Sequence, residues 1–339
     1  MTEPAPPYSK FNILYELYYG FRPNKPTFLP QDYPDLTDKT AIVTGSNTGI
    51  GLQVMKLLYS KNCNVLSVVR TKSKGDAARD ETIAEFPTSK GSITVIGGCD
   101  YLDLTTVKPA GSKIKDIIGD KPLNLIIHNA GLMASVNTAT SKQGYEAMFQ
   151  VNVMGSQLLQ HFLDPIFLKK DDDLKRIVWV SSGAHLLGFK EYGINWEDPV
   201  FENCSVKERP SASTLYGQSK AANIMQAKAW ASKNKEKVEE VGCVSVSCYP
   251  GNLRTDLQRD WNGWLRSVVG RSLFWDSIYG AYSELYAAMS PKLTTKDQGA
   301  YVVPFGGLRD PREDVKVGLT NGSDLKLWDW VNDKIKEFF

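Results

Sequence analysis

The feature that most constrains the fold is a strand, a glycine-rich turn and a helix that follow one another within residues 39–52. Ala41, Ile42 and Val43 form a short apolar run typical of a buried strand. Three glycines follow, and a helical pattern begins at Leu52. The free N–H groups of a helix N-terminus attract anions, so this order is typical of the phosphate-binding start of a βαβ unit. The segment therefore favours nucleotide binding.

Each glycine of the turn has its own predicted role. Gly45 would allow the tight turn, Gly49 would let the backbone approach a pyrophosphate, and Gly51 would let the helix pack closely on the strand. The spacing Gly-x-x-x-Gly-x-Gly differs from the G-x-G-x-x-G fingerprint of many dinucleotide-binding proteins. A purely structural turn is the alternative.

The composition is that of an ordinary globular chain of 339 residues, with 42% hydrophobic and 23% charged residues and a formal net charge of +2. This charge, without a basic run, gives no reason to expect nucleic acid as a partner. The 5 cysteines and 3 histidines lack metal-ligand spacing, so we expect reduced structural thiols and no metal. The absence of a cleavable-signal pattern and of a membrane-length apolar run favours a cytoplasmic protein.

Strand and helix signals alternate after the glycine turn. We predict seven strands, at residues 41–43, 64–69, 92–96, 123–127, 176–180, 242–248 and 299–304. The clearest helical stretches between them are 145–167 and 213–235. This alternation predicts an α/β fold: a single doubly wound Rossmann-like domain with a mostly parallel seven-stranded sheet and helices on both faces. In such a fold, ligands bind at the carboxyl ends of the strands.

The Rossmann-type domain is predicted over residues 38–310, between an N-terminal extension (1–37) and a C-terminal tail helix (311–339). Two aromatic segments, 184–214 and 256–295, are expected to form the walls of an apolar substrate pocket, although core packing explains their aromatic residues as well.

The apolar segment 11–21 leaves three alternatives open. It could pack on the domain, close over a ligand mouth, or contact a membrane surface or lipid droplet. No transmembrane segment is predicted here, and the sequence does not decide whether the chain forms a homodimer.

Arg70 directly follows the second predicted strand, where a dinucleotide-binding domain selects its cofactor. An acidic residue there would bind the ribose 2′-hydroxyl, whereas an arginine can pair with a 2′-phosphate. Because no carboxylate stands beside Arg70, the predicted cofactor is NADP rather than NAD. Asp100 and Tyr101 follow the third strand, where Asp100 could contact the adenine and Asp103 competes for that role.

Small residues follow the fourth predicted strand. Asn129, Ala130 and Gly131 would leave room for the cofactor ribose. Ser181 and Ser182 follow the fifth strand, and either hydroxyl could hydrogen-bond a substrate oxygen. These residues would share one edge of the sheet with the glycine turn, so the sequence predicts one site there.

Tyr216 and Lys220 lie four residues apart in a predicted helix, which places them on one face, one turn apart. A phenol with its unperturbed pKa near ~10 is a poor base at neutral pH. A neighbouring ammonium favours the phenolate, so the pair suits proton transfer. Taken alone, Tyr-x-x-x-Lys is also a common surface pair.

Together these motifs resemble the short-chain dehydrogenase/reductase family over residues 38–260. The resemblance is carried, in order and spacing, by residues 44–51, 129–131, 152, 181–182, 216–220 and 250–251. Residues 181–185 and 216–223 resemble the retinol-dehydrogenase-like branch. Residues 280–287 and 301–305 resemble fungal members, including light-induced alcohol dehydrogenases.

The resemblance implies an NADP(H)-dependent oxidoreductase that interconverts an alcohol with a ketone or aldehyde, expected to be bulky and apolar. Tyr216 would donate or accept the proton, and Lys220 would bind the nicotinamide ribose and lower the pKa of the tyrosine. Ser182, with Ser181 as the alternative, would position the substrate oxygen, and Asn152 would hold a water that relays protons to Lys220. Further cofactor contacts are implied for Asn47, Ile50, Pro250, Gly251, Leu253 and Thr255.

Two further points stay open at the sequence level. His185 follows the serines and could contact the substrate or make a structural hydrogen bond. A catalytically silent NADP(H)-binding regulatory or lipid-associated protein is the alternative function, although a protein that only senses the cofactor does not need the tyrosine–lysine pair.

Overall fold

The computed structural model describes residues 5–253 and 274–339, in which eight strands form one sheet. They are β1 (Thr40–Thr44), β2 (Asn64–Val68), β3 (Ser92–Ile96), β4 (Leu125–His128), β5 (Arg176–Val180), β6 (Val244–Cys248), β7 (Tyr301–Val303) and β8 (Gly307–Arg309). Their order across the sheet is β3-β2-β1-β4-β5-β6-β7-β8. All neighbours pair in parallel except β7 and β8, which are antiparallel.

The predicted α/β class with a mostly parallel sheet is confirmed, but the predicted count of seven strands is wrong. The additional strand, β8, has three residues and none of them is fully buried. It therefore has no apolar run that a sequence pattern could detect.

Helices cover both faces of the sheet. The α-helices of the described ranges are α1 (Lys10–Phe21), α2 (Gly49–Ser60), α3 (Lys72–Glu85), α4 (Val107–Ile118), α5 (Ala147–Phe149), α6 (Gly155–Phe167), α7 (Ala212–Lys233), α8 (Lys235–Val241), α9 (Ser277–Met289), α10 (Glu313–Gly318) and α11 (Ser323–Ile335). A π-helical segment, Gln150–Met154, joins α5 to α6.

In the described part of the chain, the two large apolar clusters of the core lie one on each side of the sheet. Successive side chains of a strand point to opposite faces, so Ile42 belongs to one cluster and Ala41 and Val43 to the other. Helices α4, α6, α7 and α11 contribute to the first cluster, and α2 and α9 to the second. Because both faces are covered, β1 and β4 are buried along their whole length.

Residues 311–339 form two helices where the sequence predicted one tail helix. Leu327, Val331 and Ile335 of α11 are buried in the cluster that also contains residues of α6 and α7. The C-terminal segment thus completes one layer of the fold.

Helix α1 packs on the domain through one face. The Tyr19 hydroxyl donates to Pro304 O at 2.7 Å, and Glu16 pairs with Arg309. The other face exposes the apolar side chains of Phe11, Leu14, Tyr15 and Tyr18. Within the ranges that the structure describes, no helix combines the length and apolarity needed to cross a membrane.

The carboxyl ends of β1 and β4 define the place where a ligand can enter the fold. β1 lies between β2 and β4, and the chain crosses from one side of β1 to the other after β3. Connections leave in opposite directions at such a switch point, which opens a crevice outside the strand ends. Of the predicted site residues in the described ranges, Gly45, Asn129 and Ser181 directly follow β1, β4 and β5.

Candidate active site

The glycine turn connects β1 to α2. Gly45 and Gly49 have positive φ angles of 68° and 59°, which glycine adopts without strain. A Cβ atom at Gly51 would lie 2.6 Å from Gly45 O and 2.4 Å from Asn129 Nδ2. The turn is therefore tight enough to exclude side chains at its base. Asn47 and Ile50 are half-buried in the same turn.

The segment after β4 is tied to the glycine turn. Asn129 Nδ2 donates to Thr44 O at 2.8 Å, and Ala130 N donates to Thr44 Oγ1 at 2.9 Å. A Cβ atom at Gly131 would lie 3.6 Å from Lys220 Nζ. Small residues thus line the segment between the glycine turn and the lysine.

Arg70 lies exposed at the end of β2. Asp100, after β3, is half-buried, and its Oδ1 accepts a hydrogen bond from Leu102 N at 3.0 Å. Asp103, the competing candidate for the adenine contact, forms an ion pair with Lys142 at 2.5 Å. Asp100 is therefore the less engaged of the two carboxylates.

Of the predicted cofactor residues, one has a buried side chain and another lies outside the described residues. The Tyr101 ring is buried in the core and packs on Gly155, where a Cβ atom would lie 2.3 Å from Tyr101 Cγ. A cofactor contact is therefore left only to the Tyr101 backbone. Thr255 lies outside the described residues, together with the tryptophans at 261 and 264.

Ser181 and Ser182 follow β5 but have different partners. Ser181 is buried, and its Oγ donates to Lys220 O at 2.7 Å. The Ser182 hydroxyl accepts from Ala184 N at 3.1 Å and hydrogen-bonds the Tyr216 side chain. Of the two serines, Ser182 is the one that can share a substrate oxygen with the phenol.

Helix α7 carries both Tyr216 and Lys220, which are buried. The Lys220 Nζ atom donates to Val180 O, at the end of β5, at 2.8 Å. It also lies 5.5 Å from the centroid of the Tyr216 ring. The helix spacing thus brings the phenol and the ammonium to the carboxyl end of β5, as the sequence predicts.

Burial dominates the electrostatics of this pair. It raises the pKa of Tyr216 to about 12, although the hydrogen bond with Ser182 opposes the shift. It lowers the pKa of Lys220 to about 8, against the charge of Glu284, which raises it. The net effect is a raised pKa, so the phenol is protonated at neutral pH. Such a phenol can donate a proton.

Asn152 lies in the π-helical segment, and π-helical turns are frequent at functional sites. Its Oδ1 accepts from Leu132 N at 2.7 Å, and its Nδ2 donates to Ser219 Oγ at 2.8 Å. Asn223 Nδ2 donates to the Asn152 backbone oxygen at 2.8 Å, and Asn223 Oδ1 lies 3.3 Å from Lys220 Nζ. The Asn223 side chain thus connects the Asn152 backbone to the Lys220 side chain.

His185 makes a structural hydrogen-bond network. Its Nδ1 lies 2.9 Å from Ser182 O, and its Nε2 accepts from Arg312 N at 3.1 Å. The Arg312 guanidinium forms a buried ion pair with Asp314 at 2.6 Å. Burial lowers the pKa of His185 to about 4, so the ring is neutral at neutral pH. The network ties the serine segment to the C-terminal region.

The loop after β6 packs on α9. Gly251 has a φ of 119°, and Ser283 Oγ donates to Pro250 O at 3.1 Å. Leu253 pairs with Trp275 in an isolated parallel bridge. A Cβ atom at Gly280 would lie 2.3 Å from Leu253 Cδ1, so α9 approaches this loop closely.

Apolar side chains surround the phenol. Tyr216 belongs to a small buried cluster with Met148, Phe201 and Leu215, and Phe189 packs against it. The predicted wall segment 184–214 therefore places at least two aromatic rings beside the tyrosine.

Sequence reasoning missed three residues of this region. Asn223 lies three residues after Lys220 on the same helix, a spacing that signals a contact. Arg312 and Glu284 reach the site through tertiary structure, and no local motif identifies them.

The fold and this constellation define a nucleotide-dependent oxidoreductase. The model of the short chain dehydrogenase family matches residues 39–194. The short-chain dehydrogenase/reductase bet4 of Neocamarosporium betae is 34% identical over 332 residues, which are 93% of this chain and 92% of that protein. The relative sthC of Phaeosphaeria nodorum is 34% identical over 82% of this chain and 87% of its own length. The chain belongs to the short-chain dehydrogenase/reductase family.

Solved structures share the fold. L-sorbose reductase from Gluconobacter frateurii, crystallised with NADPH and L-sorbose, has a TM-score of 0.59 at 18% identity, covering 81% of this chain and 98% of that one. An uncharacterized protein from Mycobacterium paratuberculosis has a TM-score of 0.68 at 23% identity, covering 91% of this chain and 97% of its own. The particular resemblance to the retinol-dehydrogenase-like branch stays a prediction.

Proposed function

We propose that this protein is an NADP(H)-dependent carbonyl reductase/alcohol dehydrogenase with Tyr216 as its acid–base residue. The observation that carries the proposal is the group in which half-buried Ser182 hydrogen-bonds buried Tyr216 and the Lys220 ammonium lies 5.5 Å from the centroid of the tyrosine ring. This group lies at the carboxyl ends of the strands, beside the glycine turn.

The residues present fit a phosphorylated dinucleotide. No side chain fits at Gly51, because a Cβ atom there would clash with the turn. The N-terminus of α2 presents backbone N–H groups to a phosphate. Arg70 is exposed where a 2′-phosphate would be recognised, and Lys220 borders Gly131 where a ribose would bind. The remaining contacts are assigned to Asn47, Gly49, Ile50, Asp100, Asn129, Ala130, Pro250, Gly251, Leu253 and Thr255.

When bound, NADPH supplies the hydride for the carbonyl carbon. Ser182 and Tyr216 would hold the carbonyl oxygen, and the protonated phenol of Tyr216 would donate a proton as negative charge develops there. The Lys220 ammonium would stabilise the phenolate that remains. Asn223 and Asn152 would keep Lys220 in place through their hydrogen bonds.

An apolar carbonyl of medium or large size suits the wall beside Tyr216. The side chains of Phe201, Leu215 and Met148 offer no charged group to a substrate. Turnover of bulky aldehydes or ketones in preference to acetaldehyde-sized ones would support this assignment.

Loss of NADPH absorbance with a panel of carbonyl compounds tests the proposal, with NADH in parallel. We expect turnover with NADPH to exceed turnover with NADH. Tight NADPH binding without turnover of any carbonyl would instead favour a regulatory protein that binds the cofactor.

Arg70→Asp should lower the ratio of kcat/KM for NADPH to that for NADH by roughly ten- to a hundredfold. A charge-assisted hydrogen bond contributes about 1.5–3 kcal/mol, and the new carboxylate would repel a 2′-phosphate. Lys74→Asp is the matched control, since Lys74 is exposed in α3 and the change in charge is the same. An unchanged ratio in Arg70→Asp would remove Arg70 from cofactor selection.

A further inference from the structure

Glu284 is a buried carboxyl group that none of the steps above uses. It lies in α9 and is fully buried, and neither Oε1 nor Oε2 has a hydrogen-bond partner among the residues that the structure describes. Burying a carboxyl group without partners costs several kcal/mol, so a helix that only fills space would have an apolar residue here. Its neighbours Ala281, Leu285 and Ala288 are such residues.

The face of α9 that carries Glu284 also contacts the proposed cofactor loops. Gly280, one turn before Glu284, lies so close to the loop after β6 and to the glycine turn that a Cβ atom would be 2.3 Å from Leu253 Cδ1 and 3.2 Å from Ile50 Cγ1. Residues at i and i+4 lie on one helix face. Glu284 therefore lies near the site, on the face of the sheet opposite α7.

The ends of β5 and β6 connect Glu284 to Lys220. Val180 and Cys248 are register partners at these strand ends, and Val180 O accepts the hydrogen bond from Lys220 Nζ. The Glu284 charge acts on both Cys248 and Lys220. The Glu284 carboxyl group and the Lys220 ammonium, both buried, thus lie on opposite faces of the sheet at the ends of β5 and β6.

We propose that Glu284 is a positioning residue for the hydride-transfer reaction, acting, once it is ionised in alkaline solution, as the buried counter-charge that keeps Lys220 in its ammonium form. The inference rests on the proposed function. No proton passes between the two groups in this role; the carboxylate acts through its charge on a cation that has two oxygen acceptors, Val180 O and Asn223 Oδ1, in the described structure.

Other ionisable groups of the elements packed on α9 are directed elsewhere. Those elements are α2, β4, β5, β6 and β7. Besides Cys248, these elements carry five ionisable side chains. His128 and Tyr301 lie in the opposite core cluster, and Arg176 lies at the far end of β5. Lys56 forms ion pairs with α3, and Tyr59 lies in the last turn of α2. Among the residues that the structure describes, Lys220 is the cation whose charge acts on Glu284.

The charge of each group opposes the effect of burial on the pKa of the other. Burial raises the pKa of Glu284 to about 8, and the Lys220 ammonium opposes this shift. Burial lowers the pKa of Lys220, and the Glu284 carboxylate opposes that shift. Removing either group must therefore move the pKa of the other further from its ordinary value.

Infrared spectroscopy of the protein without substrate tests the coupling independently of turnover. We expect a carboxylic-acid C=O band that is missing in Glu284→Gln and that titrates in the wild type. In Lys220→Met the same band should titrate at higher pH, because the charge that favours the carboxylate is gone. An unchanged titration in Lys220→Met, or no band that depends on Glu284, would overturn the proposal.

The pH dependence of turnover tests the role in the reaction. Glu284→Gln should move the alkaline limb of kcat/KM to lower pH by about one unit, since Lys220 then loses its proton earlier. A uniform loss of kcat without a shift would mean a merely structural role and overturn the proposal. Asp164→Asn is the control: Asp164 is a half-buried acid of α6 whose pKa burial raises to about 6, and its substitution should leave the limb in place.

The two tests separate the two proposals. Lack of turnover by the wild-type protein would defeat the proposed function, whereas the infrared comparison would still decide whether Glu284 and Lys220 are coupled. Should Glu284→Gln fail to fold, the comparison of wild type with Lys220→Met retains its outcome.

Discussion

Replacing Tyr216 with phenylalanine should lower kcat/KM for carbonyl reduction by roughly 100- to 10,000-fold, because the proton donor is lost while the ring remains. This corresponds to about 3–5 kcal/mol of transition-state stabilisation. NADPH affinity should change little, since the phenol contacts the reacting oxygen of the substrate more than it contacts the cofactor. Steady-state kinetics together with a fluorescence titration of NADPH would measure both quantities.

Tyr33→Phe is the matched control for this substitution. Tyr33 is also a buried tyrosine, and its hydroxyl has no hydrogen-bond partner within the described ranges. Removing that hydroxyl should leave turnover unchanged. If Tyr216→Phe and Tyr33→Phe retain equal activity, Tyr216 does not supply the proton.

The second large effect is expected for Gly51→Ala, which should weaken NADPH binding by roughly ten- to a hundredfold. The new Cβ would lie 2.6 Å from Gly45 O, a backbone atom that can move only if the turn opens. Opening the turn would misalign the N–H groups at the start of α2, and a charge-assisted hydrogen bond to phosphate contributes about 1.5–3 kcal/mol. Isothermal titration calorimetry would measure the loss.

A comparably tight glycine away from the turn provides the control. A Cβ at Gly111 in α4 would lie 2.7 Å from Phe162 Cβ. Gly111→Ala should lower the thermal unfolding midpoint without changing the Kd for NADPH. Equal loss of affinity in both variants would show that general destabilisation, rather than the turn, controls binding.

The fold was largely predictable because both faces of the sheet are covered. Strands buried on both sides are apolar runs, which is why residues 176–180 are predicted with their observed ends. Leu123 shows the limit of this signal: it is apolar and fully buried, yet β4 begins at Leu125. Apolar patterns report burial rather than hydrogen-bonded pairing, so strand ends are less certain than strands.

The site was predictable where its residues are close in sequence. The glycine turn and the Tyr216–Lys220 pair depend on local geometry, since a helix places positions four apart on one face. Arg312 reaches His185 across 127 positions, and Glu284 reaches the ends of β5 and β6 from another helix. Such contacts depend on how the layers pack, which no short pattern in one sequence records.

Transfer of deuterium from NADPH labelled at C4 of the nicotinamide to a carbonyl substrate tests the central claim most directly. The measurement is the mass and NMR spectrum of the product alcohol. We predict that one deuterium is found on the carbinol carbon and that Tyr216→Phe forms little of this product. An alcohol formed without deuterium from either labelled face, or no alcohol although NADPH binds, would contradict the assignment of this protein as a hydride-transferring reductase.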